Sequence, residues 1–255
     1  MRGLSGKIAA VTGGGSGIGQ AGALRLGEEG CKVAVIDWKP QAAAATVARI
    51  VAAGGTAIAV IADVGVEAQV AAAFEKIVAT YGRLDILVAN AGIFSAERDS
   101  RVHSTDKAYW DEVIGINLTG MFLSCKHGVG AIRATAKTGA VVITGSPTGI
   151  LGVTPGSTAY SSSKGGVHGL ARVMAVDYAA EGIRVNVVVP GFTLSPLTLE
   201  LVADPAVLEP LVRSIPLRRG GQPAEMAGAI AFLASDDASY MTGALVFVDG
   251  GMTAV

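Results

Sequence analysis

The sequence is poor in the residues on which several classes of protein depend. It has two cysteines, Cys31 and Cys125, which give neither a disulfide framework nor the spacing of a metal site. Aromatic residues make up 5% of the chain, and 20 basic residues against 21 acidic ones leave a net charge of −1 without any basic run. We therefore expect no bound metal and no nucleic-acid partner.

Long apolar runs are also missing. No run approaches the length needed to cross a membrane, and the N-terminal residues lack the apolar stretch of a signal peptide. We therefore expect a cytoplasmic protein with no membrane partner. Since 51% of the 255 residues are hydrophobic, the chain can bury a large core, and we expect residues 1–255 to form one domain.

Glycine, by contrast, is abundant, with 35 residues, and the most informative cluster lies near the start of the chain. An apolar run at residues 8–11 leads into Thr-Gly-Gly-Gly-Ser-Gly-Ile-Gly at residues 12–19. Gly13, Gly17 and Gly19 would permit a tight turn, the approach of a pyrophosphate, and close packing of a helix on a strand. The helix expected from about Gly17 would offer free N–H groups and a partial positive charge to an anion.

An acidic residue stands where a dinucleotide site needs one. Asp37 ends a second apolar run, 18 residues after Gly19 (37 − 19). A carboxylate there can accept hydrogen bonds from the adenosine ribose hydroxyls. Ser16 and Trp38 provide no cation for a 2′-phosphate, and we expect Lys39 to point away from the ribose. The sequence therefore predicts NAD(H) as the cofactor and disfavours NADP(H).

Apolar runs and helical patterns follow one another along the whole chain. Seven runs predict strands, beginning near residues 8, 33, 58, 85, 140, 184 and 244. Strands that are apolar throughout and separated by helices indicate a parallel sheet that is covered on both faces. The predicted fold is α/β, a doubly wound, seven-stranded parallel sheet of the Rossmann type. One long helix is expected from about residue 108 towards residue 136.

Two connecting segments have distinct patterns. Residues 93–107 are polar and are expected to form an exposed loop. Residues 192–223 are apolar but irregular, with prolines at 196, 205, 210 and 216. A segment of this length between a strand and a helix is typical of a lid or a binding loop, so we expect it to cover the substrate. The alternative is a packed surface excursion.

The chemistry is expected at Tyr160 and Lys164. Their spacing of four places both side chains on one face of a helix. A phenol has an ordinary pKa of about 10, and a nearby ammonium lowers that pKa by roughly one to three units. The phenol could then exchange a proton with a substrate oxygen near neutral pH. The hydroxyl of Ser146 and the carboxamide of Asn117 come from the preceding strand and helix.

Together these motifs resemble, over essentially the whole chain, the short-chain dehydrogenases/reductases that have a single nucleotide-binding domain. Ala89 stands in place of the first asparagine of the family's Asn-Asn-Ala-Gly motif. The matching segments are Thr12 to Gly19 for the cofactor loop, Asp63-Val64 for the adenine contact, Asn90-Ala91-Gly92 for most of Asn-Asn-Ala-Gly, Tyr160-Ser-Ser-Ser-Lys164 for the catalytic motif, and Pro190-Gly191 beside the nicotinamide.

The resemblance implies an NAD-dependent enzyme that transfers a hydride to or from a secondary alcohol or ketone. Tyr160 would be the general acid/base, and Ser146 would hold the substrate oxygen. Lys164 would bind the nicotinamide ribose and lower the pKa of Tyr160, while Asn117 would anchor a water molecule in a proton relay. The implied cofactor contacts are Gly13, Gly15, Ser16, Gly17, Ile18, Gly19, Asp37, Trp38, Asp63, Val64, Asn90, Ala91, Gly92, Tyr160, Lys164, Pro190, Gly191 and Thr193.

The substrate side is less fully defined. Ser146 precedes Tyr160 by 14 residues (160 − 146), one more than is typical of the family, so Thr144 and Thr148 stay open as alternatives for the hydroxyl. The implied substrate contacts are Ser146, Tyr160, Phe94, Pro147 and Phe192.

The resemblance also suggests a homotetramer. Small residues on the two long helices would allow close packing between subunits, and an apolar C-terminal segment, residues 249–255, could be buried there. The small residues are Gly120, Gly165, Gly166, Gly169 and Ala171.

Two other functions compete with this one. A 3-oxoacyl-(acyl-carrier-protein) reductase would need a basic docking patch, which Arg98 and Arg101 hint at, and usually a phosphorylated cofactor, which Asp37 opposes. A dinucleotide-binding scaffold without catalysis would typically have lost the tyrosine or the lysine of the motif, and this sequence keeps both.

Overall fold

The computed structural model describes residues 1–198 and 205–254. Within these residues, seven strands form one sheet in the order β3-β2-β1-β4-β5-β6-β7, and every pairing is parallel. The predicted doubly wound α/β fold is therefore confirmed. The strands are β1 Ile8–Thr12, β2 Lys32–Asp37, β3 Thr56–Ile61, β4 Ile86–Ala89, β5 Gly139–Thr144, β6 Ile183–Pro190 and β7 Leu245–Val248.

Helices cover both faces of this sheet. Successive side chains of β1 enter opposite cores, Ile8 and Ala10 on one face and Ala9 and Val11 on the other, because side chains alternate along a strand. The first face is packed by α3, α5 and α6, and the second by α1, α2 and α8. The helices are α1 Gly17–Glu28, α2 Pro40–Ala52, α3 Glu67–Tyr81, α4 Lys107–Val113, α5 Gly120–Thr135, α6 Thr158–Ala179, α7 Pro205–Ser214 and α8 Pro223–Ala234.

The long helix expected from about residue 108 has an irregularity that the pattern does not show. Between α4 and α5 the backbone forms a π-helical segment, Ile114–Thr119, in which the N–H of Gly120 reaches back to the carbonyl of Gly115. Such segments occur mostly as short insertions and frequently at functional sites. Here the segment contains the buried side chain of Asn117.

The expectation of an irregular segment over residues 192–223 is wrong in part. Residues 205–214 form α7, with Pro210 inside the helix. Prolines normally end helices, which is why the sequence pattern hides this one. Backbone bonds close the base of the segment, from Leu194 N to Gly221 O at 2.8 Å and from Gly221 N to Phe192 O at 2.9 Å. Residues 199–204, within the expected cover, lie outside the described residues.

Within residues 1–198 and 205–254, none of the helices combines the length and the apolar character that crossing a bilayer requires.

Candidate active site

One side chain connects three strands at the carboxyl edge of the sheet. The Asn90 N–H donates to Thr12 Oγ1 at 2.9 Å, and its Nδ2 donates to the Thr12 carbonyl at 3.2 Å. Its Oδ1 accepts from Thr144 Oγ1 at 3.0 Å. Asn90 therefore fixes the ends of β1, β4 and β5 relative to one another, and this edge is where open parallel sheets bind ligands.

The glycine loop lies at the end of β1 and is shaped by the backbone. Gly13 and Gly17 have φ of 63° and 54°, in the left-handed region that favours glycine. A Cβ on Gly19 would lie 2.2 Å from the Gly13 carbonyl oxygen, so α1 packs directly against the turn. Ser16 makes no side-chain cap on α1, which leaves the first N–H groups of the helix to another acceptor. This cradle has the shape and polarity that a pyrophosphate needs.

Asp37 links the end of β2 to the same loop. Its Oδ2 accepts from the Gly15 N–H at 2.9 Å, and its Oδ1 accepts from the Lys39 N–H at 2.9 Å. The carboxylate is nearly buried, yet each oxygen keeps a lone pair for a further donor. The Lys39 ammonium lies 5.0 Å from the centre of the exposed Trp38 ring, so it is held over the indole face. Both Asp37 oxygens could therefore accept a further hydrogen bond, as a diol would require.

The remaining expected cofactor residues follow other strands at this edge. Asp63, after β3, accepts the Gly65 N–H at 2.8 Å, and Val64 is buried beside it. After β6, Gly191 donates to the Val248 carbonyl at 3.1 Å, and Thr193 Oγ1 donates back to the Gly191 carbonyl at 3.0 Å. The expected residues that end a strand or follow its end are Gly13 and Gly15, then Asp37 and Trp38, Asp63 and Val64, Asn90 to Gly92, and Pro190, Gly191 and Thr193.

Tyr160 and Lys164 lie one turn apart near the start of α6. The Lys164 Nζ donates to the Thr144 carbonyl at 2.8 Å and lies 5.7 Å from the centre of the Tyr160 ring. Lys164 is 3% exposed. The Phe94 ring packs at 5.1 Å between ring centres, tilted by 59° against the Tyr160 ring. The Tyr160 ring therefore has an apolar ring and a buried ammonium as close neighbours.

The expected fall in the pKa of Tyr160 is not found. Burial raises the pKa of Tyr160 to about 12, although a hydrogen bond with Ser146 opposes the rise. Burial also lowers the pKa of Lys164 to about 8. The prediction from the sequence included the attraction of the ammonium and omitted the loss of water around the phenol, which is the largest cause of the raised pKa.

The geometry discriminates among the three candidate hydroxyls. Thr144 Oγ1 is used in its bond to Asn90, at 3.0 Å. Ser146 Oγ lies 3.0 Å from Thr148 Oγ1, and the Ser146 side chain is the one of the three that acts on the phenol, because hydrogen bonding to it lowers the pKa of Tyr160. Ser146 is therefore the hydroxyl that interacts with Tyr160, and Thr148 is bonded to Ser146.

Asn117 is fully buried and its carboxamide is already bonded. Nδ2 donates to the Ile93 carbonyl at 2.9 Å and to Ser163 Oγ at 3.2 Å, and Oδ1 accepts the Ile93 N–H at 2.8 Å. Both amide hydrogens are used, so a water molecule at Asn117 would have to donate to a carbonyl oxygen, either that of the main chain or the second lone pair of Oδ1. The side chain itself ties the loop after β4 to α6.

His168 lies one turn beyond Lys164 on α6 and was not among the residues expected at the site. Its Nε2 accepts the Ser146 N–H at 3.3 Å, which requires the neutral ring with its proton on Nδ1. The ring is 1% exposed, and burial, together with the charges of Lys164 and Arg172, lowers the pKa of His168 to about 4. A Cβ on Gly145 would lie 2.3 Å from Nε2. The spacing of four from Lys164 was the available signal.

The expectation of an exposed loop over residues 93–107 is wrong for Asp99. Val102 is exposed as expected, but Asp99 is 7% exposed and accepts N–H groups from the start of α6. Nothing in the sequence near Asp99 marks it as buried, because its partners lie about 60 residues away.

The substrate side has apolar walls next to these polar groups. Pro147 is buried directly after Ser146. Phe192 follows β6, and a Cβ on Gly220 would lie 3.1 Å from its ring. Of the three expected apolar residues, Phe94 packs against Tyr160, Pro147 follows Ser146, and Phe192 follows the neighbouring strand β6.

Known proteins resemble this chain over nearly its full length. Residues 13–253 match the family model described as enoyl-(acyl carrier protein) reductase. The chain is 46% identical over 250 residues to cis-4-hydroxycyclohexanecarboxylate dehydrogenase of Sinomonas cyclohexanicum, covering 98% of this chain and 97% of that protein. It is 41% identical over 254 residues to a 3-oxoacyl-(acyl-carrier-protein) reductase of Synechocystis sp., covering 99% of each.

A solved structure gives the same result. The crystal structure of levodione reductase, 35% identical, superposes with a TM-score of 0.93 over 98% of this chain and 99% of that chain. These similarities include the glycine loop and the helix of Tyr160 and Lys164, and dehydrogenases of this kind use NAD(P). The chain is therefore an oxidoreductase that belongs to the short-chain dehydrogenase/reductase family.

Proposed function

We propose that this enzyme interconverts a secondary alcohol and its ketone with NAD(H), and that Tyr160 is the acid/base of the reaction. The observation that carries the proposal is the placement of Tyr160 and buried Lys164 one turn apart on α6, where the side chain of Ser146 acts on the phenol and lowers its pKa. These groups share the sheet edge with the glycine loop, and Asn90 joins the two halves.

The residues divide the work of proton transfer. A nicotinamide cofactor, held by the glycine loop and Asp37, supplies the hydride acceptor or donor when bound. In oxidation, the Ser146 hydroxyl orients the substrate oxygen, and Tyr160 Oη takes the hydroxyl proton while the C–H bond of the carbinol carbon breaks and its hydride leaves. In reduction, Tyr160 Oη returns the proton to the ketone oxygen. Lys164 holds the ribose and provides a positive charge beside the phenolate.

The protonation state of the site favours one direction near neutral pH. Since burial raises the pKa of Tyr160 to about 12, the phenol carries its proton at neutral pH. That is the state a ketone requires in order to be protonated as it is reduced. We therefore expect alcohol oxidation to accelerate as the pH rises.

We propose a ring-bearing secondary alcohol as the substrate class. The relative that is 46% identical is named for a hydroxyl on a cyclohexane ring, and Phe94, Pro147 and Phe192 supply apolar walls. The acyl-carrier alternative has a relative at 41% identity, but of the two expected docking cations Arg98 is paired with Glu112 at 2.8 Å. Exposed Arg101 has no ion pair within the described part of the chain, so the expected docking patch has one free cation.

A substrate panel tests the function directly. Cyclohexanols, linear secondary alcohols and a 3-hydroxyacyl thioester are offered with NAD, and reduced cofactor is followed by its absorbance. We expect cyclohexanols to give the highest kcat/KM. Preference for the thioester would favour the acyl-carrier alternative, and inactivity with the entire panel, despite NAD binding, would favour a non-catalytic scaffold.

We also propose that residues 192–223 cover the substrate of a single dehydrogenase domain. The support is their placement directly after β6, with the base closed by the bonds between Gly221 and the start of the segment. Amide hydrogen exchange in α7 should slow when NAD and a substrate analogue are added together. Equal exchange with and without ligands would mean a packed excursion.

A homotetramer is proposed on the basis of exposed apolar side chains. Phe122 on α5 and Val173 and Val176 on α6 are 47%, 59% and 79% exposed, on helices that cover the same face of the sheet. The small-residue argument needs correction, because Gly120 packs on Val64 inside the chain and Ala171 is buried. Light scattering that finds a monomer at micromolar concentration would refute the tetramer.

A further inference from the structure

The helix that carries Tyr160 begins without a cap of its own. Ser157, the residue before α6, makes no side-chain bond to the first turn and has φ −97° and ψ 57°. The opening N–H groups of any helix lack a partner within the helix, and leaving them unpaired and buried is costly. Ala159 is fully buried at this point. Another part of the chain must therefore satisfy the first turn of α6.

Asp99 supplies the missing cap from a distant loop. Its Oδ1 accepts the Ala159 N–H at 3.0 Å, and its Oδ2 accepts the Tyr160 N–H at 2.9 Å. Beside it, Thr158 Oγ1 donates to the Ser100 carbonyl at 2.6 Å. A carboxylate at this end of a helix is also attracted by the helix dipole. The contact is thus a two-oxygen clamp on the backbone, and one of its bonds is to Tyr160 itself.

The loop that holds Asp99 is itself anchored. The Asp99 N–H donates to the Ser95 carbonyl at 3.0 Å, and the Ser95 N–H donates to Tyr109 Oη at 2.9 Å. Tyr109 is buried in a small core that includes Val113 and Ala159. The carboxylate is therefore held from behind by packed residues, so a change at Asp99 acts on α6 and cannot be absorbed by the loop alone.

We infer that Asp99 is a positioning residue for Tyr160, an inference that rests on the proposed acid/base role of that tyrosine. By holding the N–H of residue 160, the Asp99 carboxylate fixes where the phenol meets Ser146 and the substrate oxygen. A displacement of about 1 Å, even one caused far from the reacting atoms, can reduce the rate by about 10²-fold. Asp99 touches neither substrate nor cofactor in this role.

The test compares two carboxylates of the same loop. In Asp99→Asn, one of the two acceptor oxygens becomes an amide group that cannot accept an N–H, so the clamp loses a bond. Asp106→Asn is the matched control, because Asp106 caps α4 by accepting the Ala108 N–H at 3.1 Å and is exposed. Steady-state kinetics, NAD affinity and residue-resolved amide exchange are measured for both variants and the wild type.

We expect Asp99→Asn to lower kcat by about tenfold to a hundredfold while NAD affinity stays within about twofold. Exchange of the Ala159 and Tyr160 amides should accelerate in this variant alone, and Asp106→Asn should keep wild-type kcat. Unchanged kcat in Asp99→Asn, or equal losses in both variants, would overturn the inference. A wild type without turnover in the substrate panel would instead overturn the proposed function, while the exchange result still tests the clamp.

Discussion

Asp37 and Asp99 make the same kind of bond over very different distances in the chain. The oxygens of Asp37 accept N–H groups from Gly15 and Lys39, which are 22 and 2 residues away. Those of Asp99 accept N–H groups from residues 60 and 61 positions away. The adenosine half of the expected site, around Asp37, is thus built within one strand–helix–strand unit, whereas the substrate half, around Tyr160, is assembled from segments that meet only in the folded protein.

This difference predicts which measurements respond to damage in each half. A change in the local unit around Asp37 should alter the affinity and choice of cofactor. A change around Tyr160 should alter the chemical step and leave cofactor binding in place. The variants below test that separation, beginning with the largest expected effect.

The largest effect is expected for Tyr160→Phe. Removal of the phenol oxygen should lower kcat by about 10²–10⁴, the usual contribution of a positioned acid/base, while NAD affinity is retained. Tyr81→Phe is the control, because the buried Tyr81 Oη has no hydrogen-bond partner within the described part of the chain. Steady-state kinetics give kcat, and a calorimetric titration gives the NAD affinity. Near-wild-type turnover in Tyr160→Phe would show that the proton comes from another group.

The next effect concerns cofactor choice. A 2′-phosphate would place a negative charge against the Asp37 carboxylate, and one like-charge pair at 4 Å costs about 1 kcal/mol in water and about 4 at an effective dielectric of 20. We therefore expect kcat/KM to favour NAD(H) by about tenfold to a thousandfold. Asp37→Ala should remove most of this preference, by weakening NAD(H) and relieving the repulsion of NADP(H).

Lys39→Ala sharpens the same test. The Lys39 ammonium lies over the Trp38 ring, so its removal should leave the ratio of the two cofactors unchanged. If the ratio moved towards NAD(H), Lys39 would be reaching the phosphate. Equal activity of the wild type with both cofactors would contradict the assignment of Asp37.

The same contrast explains what could be predicted from the sequence. The sheet, the glycine turn and the position of Asp37 at the end of a strand could be predicted because strand periodicity, glycine and the spacing from Gly19 to Asp37 are local signals. Asp99 could not, because a carboxylate in a polar loop looks the same whether it faces water or a distant helix. The predicted fall in the pKa of Tyr160 was wrong for a related reason, since the burial of its phenol depends on the packing of the whole site.

The last effect is a pH dependence of stability at His168, which belongs to the substrate half. Burial lowers the pKa of the native His168 to about 4, below the ordinary value of 6.5. Between these values the unfolded chain binds a proton that the native chain does not, so the free energy of unfolding falls as the pH falls. One pKa unit corresponds to 1.36 kcal/mol, so we expect a loss of about 3 kcal/mol from pH 6.5 to 4.

His168→Gln isolates this contribution, because a glutamine oxygen can still accept the Ser146 N–H but cannot take up a proton in this pH range. Urea unfolding at pH 7 and pH 4.5 should show a smaller loss of stability in His168→Gln than in the wild type. His103→Gln is the control: His103 is exposed, so its substitution should leave the wild-type loss unchanged. Equal losses of stability in the wild type and His168→Gln would mean that the pKa of His168 is the same in the native and the unfolded chain. The Ser146 N–H would then lose its acceptor at mildly acidic pH, and kcat of the wild type should fall over the same range while NAD affinity holds.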